Sequence, residues 1–335
     1  MSKIKIGEYT LENGLFLAPL AGVSDRAFRD ICRRHGVEYT VSEMVSAKAL
    51  CYEQATKKPQ NVRTAPLASV FKYEMPMAIQ LFGSEPDFMA EAASLIENIS
   101  YLGCISDTKP AAIDINMGCP VHKVVANGEG SALMKNPKLA ADIVRAVKKK
   151  ISLPVTVKIR AGWDKDSINA PEMAKMLEDA GASLIAVHGR TRMQMYAPSS
   201  DNRIIADVKR AVSVPVVGNG DIYSSDDALR MIDETECDGV MIARGALGNP
   251  WIFEEISARL KGIPYAPPSV SERLAEAITQ IEQMIEEKGE HVAIAESRKH
   301  LSWYTKGING ATKARAEINS ATTFTELKKI LNDLK

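Results

Sequence analysis

The stretch Ser183-Leu184-Ile185-Ala186-Val187-His188-Gly189-Arg190 decides the fold. Its central residues are continuously apolar, without the alternation of a half-buried strand, and the stretch ends in polar residues. Such a run is typical of a parallel strand that is covered on both faces. Further short apolar runs occur at Leu15–Ala21, Tyr39–Met44, Met77–Phe82, Ala111–Asn116, Pro154–Arg160, Pro215–Asn219 and Gly239–Arg244.

Helix start signals follow most of these runs. Ser84-Glu85-Pro86, Asn169-Ala170-Pro171 and Ser224-Ser225-Asp226 each precede an amphipathic stretch, as expected of capping residues and of a proline in the first turn. Strand–helix units that recur eight times predict an α/β fold, the (β/α)8 TIM barrel. A doubly wound open sheet also alternates strands with helices and is the alternative.

The pattern changes after Trp251. Residues 261–268 form a Pro-rich linker, and the stretches that follow it are all helical in pattern: Ser271–Glu287, Val292–Thr305, Ala311–Asn319 and Thr323–Leu334. We therefore predict a barrel domain over residues 1–260 and a helical domain over residues 261–335.

Composition restricts the class of protein. The 335 residues are 45% hydrophobic and 25% charged, which is typical of a soluble globular protein. The five cysteines contain no Cys-x-x-Cys pair, which argues against disulfides or a structural metal site and predicts a reducing cytoplasm. We find no signal peptide and no membrane span, and we expect a monomer. A net charge of zero gives no overall reason to expect nucleic acid.

Polar residues stand at the ends of nearly all predicted strands, where a barrel of this type carries its active site. The set comprises Glu43, Gln80, Asn116, Cys119, Lys158, Arg160, His188, Asn219, Asp221 and Arg244. A single buried polar residue is often structural, but a set at one end of successive strands is hard to explain without a ligand.

The last two units predict a phosphate site. Gly218-Asn219-Gly220-Asp221 and Ala243-Arg244-Gly245 allow close backbone approach, and Arg244 adds a positive charge. A Rossmann fingerprint and a P-loop motif are absent from the sequence. Lys158 with Gln80 suits the edge of a planar heteroaromatic ring such as that of flavin mononucleotide (FMN), although a phosphosugar substrate would also fit.

The motifs together resemble the tRNA-dihydrouridine synthases, most closely their bacterial B-type branch. The resemblance covers essentially the whole chain and rests on stretches 18–25, 80–83, 114–120, 130–134, 157–160, 187–192, 218–222 and 242–251. It implies an FMN-bearing barrel with a C-terminal helical domain. It also implies reduction of the C5–C6 double bond of particular uridines in tRNA, with NADPH as the electron source.

The resemblance assigns roles to individual residues. Cys119 corresponds to the family's proton donor, and a thiol is mostly protonated at neutral pH, as a general acid must be. An inert core thiol is the alternative for Cys119. The residues that correspond to FMN contacts are Pro19, Leu20, Ala21, Gln80, Lys158, His188, Asn219, Gly220, Asp221, Ala243 and Arg244.

Two further groups are candidates for contact with the RNA. Asn116 and Arg160 stand at strand ends, where they would hold the carbonyl groups of the uracil. The helical region between residues 291 and 315 carries five Lys or Arg residues and one Glu, with Trp303 and Tyr304 between them. Its candidates for phosphate contact are Arg298, Lys299, His300, Lys306, Lys313 and Arg315, and a solvated helix face is the alternative.

Two rival functions remain open on the sequence. An oxidase similar to dihydroorotate dehydrogenase is also an FMN barrel with a lysine near the flavin, but it needs no basic helical appendage. A tRNA-binding chaperone that has lost catalysis would not need Cys119, Lys158 and Gln80.

Overall fold

The computed structural model describes residues 3–56 and 64–334. Within these ranges eight parallel strands close into a barrel, preceded by a two-stranded antiparallel hairpin. The strands are β1 (Ile4–Ile6), β2 (Tyr9–Leu11), β3 (Leu15–Leu17), β4 (Tyr39–Ser46), β5 (Met77–Phe82), β6 (Ala112–Met117), β7 (Val155–Arg160), β8 (Leu184–His188), β9 (Val216–Asn219) and β10 (Gly239–Ile242).

Barrel closure decides between the two predicted folds. Strand β10 pairs with β9 on one side and with β3 on the other, in parallel, so the sheet has no free edge. The (β/α)8 prediction is therefore confirmed, and the open-sheet alternative is wrong. The predicted strand positions agree with the structure to within one residue, with three exceptions. Strands β3 and β10 end earlier, because the chain turns into the loops that line the site, and β4 continues to Ser46.

Helices cover the barrel and continue beyond it. They are α1 (Arg26–Arg34), α2 (Ala47–Thr56), α3 (Pro86–Glu97), α4 (His122–Val125), α5 (Pro137–Lys150), α6 (Ala170–Asp179), α7 (Asn202–Ala211), α8 (Ser225–Thr235), α9 (Ile252–Leu260), α10 (Val270–Lys288), α11 (Glu290–Tyr304), α12 (Ala311–Ser320) and α13 (Phe324–Asn332). No helix in the described ranges is both long and apolar enough to cross a bilayer.

Side-chain caps explain where several helices begin. The hydroxyl of Ser224 accepts a hydrogen bond from the backbone N–H of Asp227 at the start of α8. Ser269 and Glu272 form a reciprocal capping box at the start of α10. Such caps satisfy backbone donors that the first turn leaves without a partner.

The floor of the barrel is closed by an element that the sequence analysis missed. Ile4, Ile6 and Leu11 of the β1–β2 hairpin are buried and pack with inward-facing residues of the barrel, among them Phe16 and Leu184. The hairpin thereby closes the end of the barrel opposite the polar strand ends.

The C-terminal helices α10 to α13 have their own apolar core and are docked on the barrel. Lys288 of α10 binds Asp25 before α1 at 2.6 Å. The backbone of Trp303 and Tyr304 in α11 lies against Gly248 of the barrel, so closely that a Cβ atom there would lie 2.5 Å from the carbonyl carbon of Trp303. The division into two domains at residue 260 stays a prediction.

Candidate functional site

A cavity of about 370 Å³ opens at the carboxyl ends of the barrel strands. Its lining includes the barrel residues to which a cofactor, substrate or catalytic role was assigned: Pro19, Leu20, Ala21, Gln80, Asn116, Cys119, Lys158, Arg160, His188, Asn219, Gly220, Asp221, Ala243 and Arg244. Glu43, the remaining residue of the polar strand-end set, lies outside the lining and accepts the backbone N–H of Gly22. Parallel strands of a closed barrel end on one face, so residues far apart in sequence meet there.

Cys119 occupies a turn that is held from both sides. The Asn116 Oδ1 atom accepts the backbone N–H of Gly118 at 3.1 Å and that of Cys119 at 2.9 Å. The Ser131 hydroxyl donates to the Cys119 carbonyl at 2.8 Å. Gly130 lies so close to the turn that a Cβ atom there would be 2.9 Å from the same carbonyl oxygen. The thiol is thus presented on a braced loop at the wall of the cavity.

Burial keeps the Cys119 thiol protonated. Removal from water raises its pKa, and this outweighs the opposite effects of a backbone hydrogen bond and of Arg160 and Lys158. Burial also raises the pKa of the Cys32 and Cys237 thiols, which are buried in the apolar core, away from the cavity. The thiol at the cavity can therefore supply a proton at neutral pH.

Asn116 and Gln80 bind each other, an arrangement that the sequence analysis did not predict. The Asn116 Nδ2 atom donates to Gln80 Oε1 at 2.7 Å, and Gln80 Nε2 donates to Asp114 Oδ2, also at 2.7 Å. Arg160 likewise connects segments of the cavity wall, since it donates to the backbone carbonyl groups of Gly118, Thr191 and Met195. All three proposed ligand residues therefore also hold the walls of the cavity.

Lys158 brings an amine into the interior of the barrel. Its Nζ atom donates to Asn219 Oδ1 at 2.9 Å. Burial lowers the pKa of Lys158 to about 7, with a further lowering by Arg160 and a partial restoration by Asp114. The amine therefore titrates near neutral pH, and its protonated form can bind an anionic or an electron-rich group.

The opposite end of the cavity is built to bind an anion. Asp221 accepts from Arg190 at 2.5 Å and from Arg244 at 3.2 Å, which orients both guanidinium groups. Burial and the nearby cations, first Lys158 and Arg160, hold the pKa of His188 well below its usual value, so its ring is neutral. The site thus has a surplus of positive charge next to a neutral imidazole.

Gly220 lines the cavity at the same end, and Ser200 packs against it from outside the lining. Gly220 has a φ of 134°, and a Cβ atom there would lie 2.2 Å from the Ser200 hydroxyl oxygen. That hydroxyl is buried and has no hydrogen-bond partner in the structure. A polar atom in this condition is costly unless a ligand satisfies it.

Sequence reasoning missed several residues of the site. Met44, Tyr196 and Tyr223 line the cavity and were not considered. Arg190, quoted at a strand end without a role, lies outside the lining, where its guanidinium binds Asp221, His188 and the Pro198 carbonyl. Tyr196 and Tyr223 line the mouth of the cavity and are 56% and 49% exposed. The Arg244 guanidinium lies 4.7 Å from the ring centre of Tyr196. Nothing in the local sequence indicates that these residues reach the cavity.

The cationic candidates of the helical region lie outside the cavity lining. Arg298 donates to the Ala321 carbonyl, Arg315 to that of Ala311, and Lys299 to that of Gly22 in the barrel. Lys306 is exposed, and Lys313 is exposed with Glu317 at 3.7 Å.

The expectation for His300 was wrong. Its ring is buried and hydrogen-bonded to Gln280 at 3.0 Å, and burial lowers its pKa to about 4. A neutral, buried ring offers no charge to a phosphate. His300 instead lies between Gln280 of α10 and Phe28 of α1, where α11 meets the barrel.

Comparison with known proteins places this site in a family. The family model described as "Dihydrouridine synthase (Dus)" matches residues 16–335. The tRNA-dihydrouridine synthase B of Pseudomonas aeruginosa is 41% identical over 324 residues, which cover 95% of this chain and 92% of that protein. The probable tRNA-dihydrouridine synthase 1 of Synechocystis sp. is 39% identical over 332 residues, covering 98% of this chain and 88% of that protein.

Solved structures share the barrel at much lower identity. A morphinone reductase variant in complex with tetrahydroNAD is 14% identical, with a TM-score of 0.52, and the match covers 81% of this chain and 93% of that one. Histamine dehydrogenase from Rhizobium sp. 4-9 is also 14% identical, with a TM-score of 0.55 and coverage of 84% and 50%. These likenesses support the fold only. The family match and the relatives near 40% identity extend over almost the whole sequence, and on that basis the chain belongs to the dihydrouridine synthase family of oxidoreductases.

Proposed function

We propose that the protein is a tRNA-dihydrouridine synthase that binds FMN, takes electrons from NADPH and reduces the C5–C6 double bond of specific uridines in tRNA. One observation carries the proposal: a braced, protonated thiol faces a cation-rich cavity in a chain of this family. The names of the relatives supply the substrate class.

The residues of the cavity fit FMN. Arg244, which Asp221 orients, and the backbone around Gly220 and Gly245 would hold a phosphate at this end of the lining. Lys158, with Gln80 and Asn219 beside it, would lie at the ring, where an ammonium group stabilises negative charge. Bound and reduced, FMN supplies a hydride for C6 of the uracil.

The chain's own residues would complete the reaction. As electron density develops at C5, Cys119 would deliver its thiol proton to that carbon and would remain in place as a thiolate beside Arg160 and Lys158. Asn116 fixes the backbone of the Cys119 turn, and Arg160 fixes it through the Gly118 carbonyl. The braced turn would hold the sulfur at one place over the uracil.

The target base must leave the RNA stack to reach this cavity, at an unstacking cost of a few kcal/mol. Contacts between lysines of the helical region and RNA phosphates would offset that cost. Lys306 and Lys313 are the exposed candidates, whereas Arg298, Lys299 and Arg315 already bind backbone carbonyls.

The test is reconstitution on the natural substrate. Dihydrouridine is mapped in tRNA from cells that lack this protein, and that tRNA is then incubated with the purified, FMN-loaded protein and NADPH. We expect dihydrouridine to be absent from specific positions in the tRNA of these cells and to be restored at those positions by the purified protein. If the loaded protein leaves that tRNA unreduced, the proposal is wrong.

Parallel reactions separate the rivals. Oxidation of dihydroorotate without any reduction of tRNA would favour the dihydroorotate-dehydrogenase-like activity. A protein that binds tRNA but neither holds flavin nor oxidises NADPH would favour the chaperone.

A further inference from the structure

A buried chain of hydrogen bonds connects Asp114, deep in the barrel, to the turn that carries Cys119. Gln80 Nε2 donates to Asp114 Oδ2 at 2.7 Å, and Asn116 Nδ2 donates to Gln80 Oε1 at 2.7 Å. Asn116 Oδ1 then accepts the backbone N–H of Cys119 at 2.9 Å. Gln80, Asp114 and Asn116 are 0%, 4% and 7% exposed, so water cannot replace these partners freely.

Strand register assembles the chain. Gln80 of β5 is paired with Asp114 of β6, and Asp114 with Thr156 of β7. Asn116 follows Asp114 by two residues, so both side chains point into the barrel. The Thr156 hydroxyl donates to the second oxygen of Asp114 at 2.6 Å.

The direction of the chain is determined at both ends. Backbone N–H groups at Gly118 and Cys119 can only donate, and the two carboxyl oxygens of Asp114 both accept, one from Gln80 and one from Thr156. Between them, Asn116 and Gln80 can each be oriented in two ways, because amide oxygen and nitrogen are nearly the same size. A donor-only end and an acceptor-only end permit one orientation of both amides, and it is the one observed.

We propose that Asp114 is a positioning residue for Cys119: its carboxylate orients Gln80 and Asn116, and thereby holds the turn that presents the thiol. In this arrangement Gln80 is held at both ends of its amide, by Asn116 at the oxygen and by Asp114 at the nitrogen. Describing the thiol as the acid of the reaction rests on the proposed function, but the hydrogen-bond chain does not.

Two other roles for Asp114 give different results. Its charge lies near Lys158, so it could act only as a counter-ion; it could also serve only as packing for Thr156. D114N removes the charge but keeps an acceptor for Gln80, because the Thr156 hydroxyl can accept as well as donate. D114L removes the acceptor. T156V removes the other bond to Asp114 and leaves the one to Gln80.

The first experiment measures the alkylation rate of Cys119 by iodoacetamide in the FMN-loaded protein, by peptide mass spectrometry, with Cys104 as the internal reference. Cys104 is partly exposed and lies outside the cavity lining. We expect at least threefold faster alkylation of Cys119 in D114L, and rates within twofold of the wild type in D114N and T156V. For tRNA reduction, kcat of D114L should fall at least tenfold while KM changes less than threefold.

The proposal is overturned if D114L alkylates at the wild-type rate. It is also overturned if D114N changes Cys119 alkylation as much as D114L does, because the charge of Asp114 would then be the property that matters. An equal change in T156V would overturn it as well, because packing around Thr156 would then explain the effect. Alkylation needs neither tRNA nor NADPH. An altered alkylation rate in a protein that reduces no tRNA would therefore sink the proposed function and leave the positioning role intact.

A reversal of the chain keeps the test decisive if D114L does not fold. In N116D a carboxylate oxygen faces Gln80 Oε1, so that two acceptors meet. Rotating the Gln80 amide by 180° relieves this contact but places Gln80 Oε1 against the Asp114 carboxyl group, where two acceptors meet again. D114N/N116D permits the two side-chain bonds through Gln80 to run in the opposite direction, while the new carboxylate at position 116 still accepts the backbone N–H groups of Gly118 and Cys119. We expect N116D to lower the melting temperature and to speed Cys119 alkylation, and the double variant to recover at least half of both changes. Additive effects of the two substitutions would overturn the proposal.

Discussion

At the scale of single residues, burial shifts the pKa values of Cys119 and Lys158, two groups that would act together, in opposite directions. Burial raises the pKa of the Cys119 thiol and lowers that of the Lys158 amine, because it disfavours the charged form of each. The acid is therefore kept protonated, and the amine is brought to a pKa of about 7. Each change follows from desolvation, which a strand-end position in a closed barrel provides.

Replacement of Cys119 tests the role of the thiol as an acid. C119A should bind FMN as the wild type does, because no phosphate or ring contact is removed, but tRNA reduction should slow by about 10²–10⁴-fold. Single-turnover reduction of tRNA by the pre-reduced enzyme measures this step directly. C237A, a buried thiol outside the cavity lining, is the control. Turnover of C119A at the wild-type rate would rule the thiol out.

Removal of the Lys158 amine should stabilise the FMN-free protein at low pH. A folded pKa of about 7, against 10.5 for the ordinary amine, means that the unfolded chain binds more protons between these values. Stability therefore rises with pH across that window, and the full cost of the buried charge applies below pH 7.

We expect K158M to be about 1–3 kcal/mol more stable than the wild type at pH 6, after the loss of the bond to Asn219. The difference should fall as the pH rises and change sign before pH 10.5, where the lost bond to Asn219 leaves K158M the less stable protein, as followed by urea unfolding. K149M, on an exposed face of α5, is the control. A pH-independent difference would contradict the lowered pKa.

At the scale of elements, the contact between α11 and the barrel depends on one glycine. Gly248 has a φ of 65°, and a Cβ atom there would lie 2.5 Å from the Trp303 carbonyl carbon and 2.6 Å from the Tyr304 nitrogen. Both atoms belong to the helix backbone, which cannot move aside as a flexible side chain would. The close approach brings α11, with Lys299, next to the Gly22 loop at the cavity mouth.

Substitution at this contact separates docking from backbone strain. Gly262 has nearly the same φ, 66°, with no atom within 4 Å of a Cβ, so G262A should cost only the left-handed strain of about 1–2 kcal/mol. G248A should cost a further 1–3 kcal/mol, roughly, from overpacking. Urea unfolding of both variants measures the difference. Equal losses would show that the helix adapts.

At the scale of the whole molecule, the helical region is positioned against the barrel by ionic contacts as well as by packing. Lys288 binds both Asp25 and Glu296, and His35 lies between Glu254 and Glu276 at 2.7 and 3.6 Å. These pairs join α1 and α9 of the barrel to α10 and α11. A tRNA held by the helical region would therefore be presented to the cavity at a set distance.

The exposed lysines of the helical region should contribute to tRNA affinity through charge alone. K306A and K313A should each reduce the slope of log affinity against log salt concentration by about 0.7–0.9, the expectation for one phosphate contact. Filter binding over a range of salt concentrations measures the slope, and K149A is the control. Unchanged slopes in both variants would show that the RNA-binding surface lies elsewhere on the protein.

The sequence by itself determined the strand positions, the barrel and the residues at its mouth. Local signals suffice there: an apolar run predicts a buried strand, as at Met77–Phe82, and parallel strands of a closed barrel carry their carboxyl ends to one face. Fourteen predicted residues therefore line one cavity, including Cys119.

Only the tertiary structure decided how these residues bind one another. The bonds that join Gln80 to Asp114 and Asn116 depend on register between neighbouring strands. The pairing of Arg190 with Asp221, the orphaned Ser200 hydroxyl and the burial of His300 depend on which loops and helices meet. The packing of the β1–β2 hairpin on the barrel floor likewise depends on contacts between segments that are distant in sequence. Hydrogen-bond partners and burial are properties of contacts across the chain, and the local pattern of residues does not contain them.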